Sequence, residues 1–207
     1  MPAGTAQPAT PAIDVAFPLQ GDAIPVDHGY ALYAALAHLP TVGTWLHETD
    51  QVAIHPVRGY YAGNGLLKLS DASRLRLRLP AAYLPQILPL AGKSVEIDGH
   101  RLRTGVPQTT LPQSAVALYA HVVTTRNGQD EDRFDAEIRH QLDTLAIRGR
   151  PTRGKRRVLR VRDKNVIGHS LLVSELTAEE SIRLQEAGLG GRRKMGCGVF
   201  VPTEPRQ

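Results

Sequence analysis

Apolar residues recur along the chain at two spacings, which predict where helices and strands lie. Between Asp27 and Leu39 they return every three or four positions, the period of an amphipathic helix. Asp27 is placed to cap the start of this helix, and Pro40 is placed to end it. Between Arg74 and Leu79 arginine alternates with leucine, as in a strand with one buried face, so we expect its arginine face to be exposed.

The first half of the chain predicts a β-α-β-β-α-β order with additional strand material. Glycine and proline mark a turn over 21–25, and Asp98-Gly99 marks a hairpin turn. The helix covers 27–39, and the alternating strand covers 74–79. The remaining predicted elements are strands over 13–19, 52–57, 66–69, 93–97 and 102–106 and an irregular, proline-containing helix over 82–90.

The second half repeats this order after a proline-containing connection over 107–112. Thr177 and Glu180 match a capping box at the start of the last helix, and Asp163-Lys164-Asn165 suits a turn between two strands. The predicted elements are strands over 116–125, 157–162, 166–173 and 198–201 and helices over 130–145 and 178–187.

Together the two halves predict an α+β fold of two tandem ferredoxin-like (RRM-like) β-α-β-β-α-β domains. We expect a disordered lead over residues 1–12, an N-terminal domain over 13–108 and a C-terminal domain over 113–203. A chain of 207 residues is long enough to bury two cores of this size.

Composition excludes several classes of protein. No apolar run approaches the roughly 18 to 20 residues that cross a bilayer, and the first residues lack the basic start and apolar stretch of a secretory signal. We therefore expect a cytoplasmic protein with no membrane partner. Cys197 is the only cysteine, which excludes an internal disulfide and a cysteine-rich zinc site. We expect no metal site and no cofactor.

The basic residues are distributed unevenly. From Met1 to Val57 the chain has five acidic residues and no lysine or arginine, so all 25 basic residues lie from Arg58 onward. The net charge of +5 therefore conceals a basic region with a charge of +10. Such a region favours a nucleic-acid partner, although a solvated basic face on an ordinary enzyme would produce similar counts.

A glycine-rich segment over 188–198 carries the strongest local signal. Its glycines let the backbone approach a phosphate chain closely, and its cations supply positive charge. A nucleotide P-loop would need serine or threonine where Met195 stands, and a dinucleotide motif would need glycine where Arg193 stands. A flexible surface loop is the alternative. The residues predicted to bind RNA here are Gly188, Gly190, Gly191, Arg192, Arg193, Lys194, Gly196 and Gly198.

This segment resembles the C-terminal glycine-rich loop of the CRISPR-associated repeat endoribonucleases. The matching residues are Gly188-Leu189-Gly190 and Gly196-Cys197-Gly198, separated by a basic stretch, and the loop lies between the predicted last helix and last strand. The tandem ferredoxin-like order also agrees with that family. The resemblance therefore covers nearly the whole chain after the N-terminal lead.

The resemblance implies a catalytic histidine on or near the first helix, where His28 lies. A histidine in a first helical turn is kept neutral by the helix dipole, which suits a base. Family members use a tyrosine, a lysine or a serine as its partner, and Tyr30 is close in sequence. His55 ends a predicted strand beside a turn, where either a second catalytic residue or a satisfied histidine would fit. The other histidines share no metal-ligand spacing and are interpreted as surface or packing residues: His38, His47, His100, His121, His140 and His169.

The activity implied by the resemblance is metal-independent cleavage of CRISPR precursor RNA within its repeats. The ribose 2′-hydroxyl would attack the adjacent phosphorus on the 3′ side of the stem-loop, leaving a cyclic phosphate and a 5′-hydroxyl, and the protein would stay bound to the product. The implied partners are the repeat stem-loop RNA and other subunits of a CRISPR interference complex. A non-catalytic RNA-binding subunit of such a complex is the alternative.

A second basic segment precedes and includes the predicted strand over 157–162. Arg160 and Arg162 share one strand face, and the basic residues over 153–157 are expected in a loop before it. The predicted RNA-binding residues here are Arg153, Lys155, Arg156, Arg157, Arg160 and Arg162. Because only 5% of residues are aromatic, we expect phosphate contacts to outweigh base stacking. A solvated basic strand is the alternative.

Overall fold

The structure, a computed structural model, describes residues 10–203, so most of the expected disordered lead lies outside the described residues. The predicted helices and strands occur in the predicted order, together with one helix and several short strands that were not predicted. In the first half they are β1 (Ala12–Gln20), β2 (Ala23–Pro25), α1 (Gly29–Ala37), α2 (Gly43–Glu48), β3 (Ala53–Ile54), β4 (Tyr60–Gly63), β5 (Leu66–Lys68), β6 (Arg74–Pro80), α3 (Leu84–Ile87), β7 (Ser94–Ile97), β8 (His100–Thr104) and β9 (Gln108–Thr110). In the second half they are β10 (Leu118–Val123), α4 (Glu131–Thr144), β11 (Arg150–Val161), β12 (Lys164–Ser174), α5 (Ala178–Ala187) and β13 (Val201–Pro202).

Both halves form an antiparallel sheet with helices on one face. The strand order is β3-β6-β1-β8-β7 in the first half and β11-β12-β10-β13 in the second. The first and third strands of each β-α-β-β-α-β unit are neighbours at the centre of the sheet. These are β1 and β6 in the first half and β10 and β12 in the second. This is the ferredoxin-like arrangement, and the predicted tandem fold is confirmed. The domain limits at residues 108 and 113 stay a prediction, and β9 extends across the first of them.

The two cores are separate and lie on the helix-covered face of each sheet. In the first, Phe17 and Leu77 pack with Leu36 of α1 and Leu46 of α2. In the second, side chains of β10 and β12 pack against α4 and α5, with Phe134 fully buried. The alternation of leucine with arginine in β6 therefore produces the expected apolar face, because successive side chains of a strand point to opposite sides.

Several local predictions are wrong. Helix α1 begins at Gly29 with His28 as its N-cap, while the Asp27 carboxylate accepts a 2.7 Å hydrogen bond from the Arg160 backbone N–H. The sequence over 153–157 is not a loop but part of β11, which has an irregular register between Arg153 and Arg156. Helix α2 and strands β4 and β9 were not predicted, and strand β2 occupies part of the turn predicted over 21–25. The strand expected over 198–201 is reduced to Val201–Pro202, because the preceding residues continue the glycine-rich loop.

The arginine face of β6 is exposed only in part. Arg76 is exposed, but Arg78 retains 2% of its accessible surface, so the predicted exposure is wrong for Arg78. Arg78 stands directly opposite Asp14 in the β1–β6 ladder and forms two hydrogen bonds to its carboxylate, at 2.7 and 2.9 Å. A guanidinium matches a carboxylate in this paired geometry. Without such a partner, burial of the arginine side chain would be strongly unfavourable in free energy.

Arg78 also joins the two halves of the protein. Its Nη1 atom donates to the backbone oxygens of Gln185, at 3.0 Å, and Phe200, at 2.8 Å, which belong to α5 and to the segment before β13. Burial alone would raise the pKa of Asp14, but the contacts with His55 and Arg78 and the charge of Arg78 hold it well below its ordinary value. The ion pair is therefore formed at neutral pH.

We predict that Arg78→Met lowers the free energy of unfolding by about 3–5 kcal/mol, because it leaves the Asp14 carboxylate buried without its partner. Urea unfolding followed by circular dichroism measures this change. Arg76→Met is the matched control on the same strand face, and we expect it to change stability by less than about 0.5 kcal/mol. Equal effects of the two substitutions would contradict the role of Arg78.

Candidate functional site

Residues from both halves line two adjoining cavities between the sheets. The smaller, of about 280 Å³, includes Leu159 and Gly196, and the larger, of about 520 Å³, includes Arg58 and Val201. His28, His55 and His121 line both cavities. The structure thus brings together histidines that lie far apart in sequence, at the junction of the two halves.

His28 is buried, and both of its ring nitrogens are engaged within the protein. Nδ1 lies 2.8 Å from the Pro25 carbonyl oxygen, to which it donates, and Nε2 accepts a 2.9 Å hydrogen bond from the Val57 backbone N–H. These partners require the neutral tautomer with the proton on Nδ1. Burial lowers the pKa of His28, and its hydrogen bond to Pro25 opposes that shift only in part. In this conformation His28 has no free nitrogen for a substrate.

His55 and Tyr30 have different surroundings from each other. The Nε2 atom of His55 lies 3.5 Å from Asp14 Oδ1, without a hydrogen bond among the described residues, and burial lowers the pKa of His55. The Tyr30 hydroxyl accepts a 3.1 Å hydrogen bond from Arg162 Nε and lines a separate groove beside α1. The three residues predicted as catalytic are therefore not gathered around one cavity, and their catalytic roles stay predictions.

His121 was interpreted from the sequence as a surface or packing residue. It is exposed at the edge of both cavities, on a strand whose neighbouring residues Ala120 and Val122 are buried. Partial burial and the charge of Arg157 lower the pKa of His121. The alternation of buried and exposed residues along β10 could have predicted that His121 faces away from the core. The sequence did not indicate that the other half of the protein lies opposite this face.

A second constellation combines a tyrosine, a histidine and a lysine outside these cavities. The hydroxyl of Tyr33 on α1 lies 3.3 Å from Nδ1 of the exposed His47 on α2. The Lys194 ammonium donates to the backbone oxygens of Leu46, at 3.0 Å, and His47, at 3.1 Å, and lies 5.9 Å from the centre of the Tyr33 ring. We call these three residues the Tyr33–His47–Lys194 cluster. Among the hydrogen bonds of the described residues, none involves His47 Nε2.

Lys194 reaches the cluster because the glycine-rich loop packs against the first half. The short 3-10 helix Arg193–Met195 contacts α1 and β3, and a cation at the end of α2 satisfies carbonyl groups that lack helical partners. Asp50, which is fully exposed, lies 3.9 Å from the Lys194 ammonium and is screened by solvent. The sequence signal that could have revealed α2 is the spacing of Val42 and Leu46 after Pro40.

The glycines of the loop are explained mainly by close contacts within the protein. A Cβ atom at Gly190 would overlap the Thr124 carbonyl oxygen, and one at Gly198 would overlap that of Leu189; both glycines have positive φ. Gly191, in contrast, is exposed with open space where a Cβ would lie, and Arg192 beside it is exposed. RNA contacts by Gly188, Gly190, Gly196 and Gly198 therefore stay a prediction.

The cations predicted to bind RNA differ in availability. Arg153 forms ion pairs with Glu131, at 2.6 Å, and Asp135, at 3.0 Å, on α4. Arg193 donates to the Glu186 carbonyl oxygen, and burial lowers the pKa of Arg193 to about 10. Arg157 lines the smaller cavity, where its Nε has no partner among the described residues. The remaining predicted cations, in β11 and the turn that follows it, are exposed: Lys155, Arg156, Arg160 and Arg162.

Within residues 10–203, no group of three or more histidine, cysteine, aspartate or glutamate residues is arranged to hold a metal ion. None of the helices in this range is both long and apolar enough to cross a membrane. Cys197 is buried, and burial raises the pKa of its thiol to about 11.

Three comparisons relate the chain to known proteins. A family model described as Cas6 Crispr matches residues 13–205. The CRISPR-associated endonuclease Cas6 of Myxococcus xanthus is 38% identical over 191 residues, which cover 92% of this chain and 81% of the relative. The match therefore extends over both sheets.

Solved structures show the same fold at low sequence identity. A CRISPR-associated protein Cas6 matches with a TM-score of 0.64 at 14% identity, covering 93% of this chain and 100% of the other. A Cas6-related protein from Pyrococcus furiosus gives 0.62 at 15% identity, with coverages of 94% and 99%. The CRISPR endoribonuclease Cse3 bound to a 19-nucleotide RNA gives 0.51 at 9% identity, with coverages of 91% and 97%.

The buried histidines predict a dependence of stability on pH. Because burial lowers the pKa values of His28 and His55 below the ordinary value of 6.5, the unfolded chain binds protons first as the pH falls. Their contribution to stability is thus complete above about pH 6.5 and is lost progressively below it. We expect the free energy of unfolding, measured in urea, to fall from pH 7.5 to pH 5.5 more steeply in the native protein than in His28→Gln.

His140→Gln is the control for this experiment, because His140 is exposed on α4. It should retain the pH dependence of the native protein. Parallel pH profiles for the native protein and His28→Gln would show that His28 does not contribute.

Proposed function

The chain belongs to the Cas6 family of CRISPR-associated endonucleases, and from this premise we propose that it cuts CRISPR precursor RNA within its repeats. Cleavage on the 3′ side of the stem-loop yields mature guide RNA with a cyclic phosphate, and releases a 5′-hydroxyl end. The protein then stays bound to the product. Family membership confirms the resemblance inferred from the glycine-rich loop. The observation that carries the proposed chemistry is the Tyr33–His47–Lys194 cluster beside that loop.

The reaction moves protons and needs no external water as nucleophile. The ribose 2′-oxygen forms a bond to phosphorus while the bond from phosphorus to the 5′-oxygen breaks. A base accepts the 2′-hydroxyl proton, and an acid supplies a proton to the leaving oxygen. A histidine in hydrogen-bond reach can perform one of these transfers and typically contributes about 10² to 10⁴ in rate. No step requires a metal ion.

The geometry supports His47 as the proton-transfer residue. Its ring is exposed, Tyr33 holds Nδ1, and Nε2 can face a substrate. The Lys194 ammonium is fixed beside it by two backbone carbonyl oxygens, where its charge can stabilise the phosphorane that forms in the transition state. His28, the residue implied by the resemblance alone, would first have to release the Val57 N–H. We therefore propose His47 ahead of His28, and the same experiment tests both.

The exposed cations of β11 supply a surface for the RNA stem. Lys155, Arg156 and Arg160 are free to neutralise phosphates, and Arg192 extends the positive charge at the exposed part of the glycine-rich loop. Phosphate contacts of this kind hold substrate and product alike, which supports retention of the cleaved RNA. Arg153 is excluded from this surface, because acidic residues of α4 neutralise it.

A non-catalytic RNA-binding subunit is the alternative function, since binding requires only the basic surface. The two are separated by incubating the protein with repeat RNA in the presence of a chelator. Cleavage supports the endoribonuclease, and binding without cleavage supports the alternative.

We predict that His47→Ala reduces the single-turnover cleavage rate by at least about 100-fold while RNA affinity stays within about threefold, because a proton-transfer group acts mainly in the transition state.

A 2′-deoxy nucleotide at the cleavage position should block cleavage by the native protein and permit binding, because it removes the nucleophile.

His38→Ala is the matched control, since His38 is an exposed histidine at the end of α1. It should cut at the native rate. If His47→Ala retains full activity and His28→Ala, verified as folded, does not, the catalytic role passes to His28. Cleavage of the 2′-deoxy RNA would instead indicate attack by water.

Salt dependence of RNA binding tests the basic surface. We expect the triple substitution of Lys155, Arg156 and Arg160 by alanine to weaken binding and to reduce the slope of log affinity against log salt by roughly 0.7–0.9 for each lost phosphate contact. Arg153→Ala should leave the slope nearly unchanged, because its charge is already paired. An unchanged slope in a folded triple variant would assign these residues to a solvated face.

A further inference from the structure

Tyr60 and Tyr61 are unusually exposed for large aromatic residues. Each retains 71% of its accessible surface, and they are adjacent on β4 of the small sheet β2-β5-β4. Within the described residues, neither ring stacks on another aromatic ring. The chain has only six tyrosines, and placing two of them side by side in solvent suggests that they bind a partner.

The hairpin of β4 and β5 forms part of the edge of the larger cavity. Gly59 and Leu67 line that cavity, and Tyr61 stands directly opposite Leu67 in the β4–β5 ladder. Directly opposed residues of a ladder share one face of the sheet. Tyr61 is therefore on the face that adjoins the cavity, whereas Tyr60 stands opposite Lys68 and shares the other face.

The larger cavity is positively charged. Arg58, Arg74 and Arg76 line it, and no aspartate or glutamate is among its lining residues. It adjoins the smaller cavity, where Arg156 and Arg157 continue the positive charge toward the basic surface of β11. Cations thus extend from the tyrosine hairpin toward the proposed surface for the RNA stem, and Asp27 is the acidic residue among those that line the two cavities.

We propose that this cavity and the β4–β5 hairpin bind an unpaired segment of the RNA, with the Tyr61 ring stacked on a base and Arg58, Arg74 and Arg76 on the phosphates. The proposal rests on the RNA binding proposed above and adds a site for single-stranded RNA. An unpaired base offers its face to an aromatic ring, whereas a base within a helix is already stacked on its neighbours. Tyrosine and arginine also occur at protein interfaces, but three arginines in a cavity with no acidic residue in its lining fit phosphates better.

The test compares two RNA probes at one salt concentration: a single-stranded oligoadenylate and a blunt-ended RNA duplex of two strands, which has no unpaired base. Tyr61→Ala should weaken oligoadenylate binding about tenfold or more and leave duplex binding unchanged, because a stacking contact is lost only from the unpaired base. Tyr61→Phe is the matched control. It retains the ring and should bind both probes as the native protein does.

Native affinity of Tyr61→Ala for oligoadenylate would overturn the proposal and leave the tyrosines available to a protein partner. An equal loss for both probes, or a loss in Tyr61→Phe as large as in Tyr61→Ala, would also overturn it. Circular dichroism verifies that each variant is folded. Failure of the native protein to cut repeat RNA would contradict the endonuclease function, but the binding of oligoadenylate would still decide this inference.

Discussion

The buried ion pair between Asp14 and Arg78 is the interaction on which the arrangement of the two halves depends. Asp14 and Arg78 form two hydrogen bonds across the β1–β6 ladder, and the remaining donor atom of Arg78, Nη1, binds α5 and the segment before β13. A buried arginine is stable only when a carboxylate and other hydrogen-bond acceptors compensate its charge. The ion pair therefore holds α5 and the segment before β13 against the first sheet, and the Asp27–Arg160 and Lys194 contacts join the two halves elsewhere.

The glycine-rich loop follows directly from that junction. It starts after α5 and ends before Phe200, so Arg78 holds the segments on both sides of it. Positive φ angles and close backbone contacts at Gly190 and Gly198 let the chain fold back on itself. As a result Arg193–Met195 lies on the first half, and Lys194 meets the end of α2. The proposed catalytic cluster is thus completed by a residue from the opposite end of the chain.

The basic residues of this protein have four different environments. Arg78 is a buried bridge, Arg153 is neutralised by α4, and Arg193 is largely buried beside α5. Lys155 and Arg156, in contrast, remain exposed. The surface that we propose for phosphates is therefore smaller than the basic composition suggests: it comprises exposed cations of β11, the exposed tip of the glycine-rich loop and the arginine-lined cavity.

The sequence by itself determined the tandem α+β fold and the family, because these depend on short-range patterns. Alternation in β6, the capping box at Thr177 and the turn at Asp98-Gly99 each involve residues within a few positions. Only the tertiary structure decided which titratable side chains are available. His28 is engaged by Val57, 29 residues away, Arg78 by Phe200, 122 residues away, and His47 lies beside Lys194 across 147 residues. Such contacts form only when separate elements pack together, so they cannot be predicted from local periodicity.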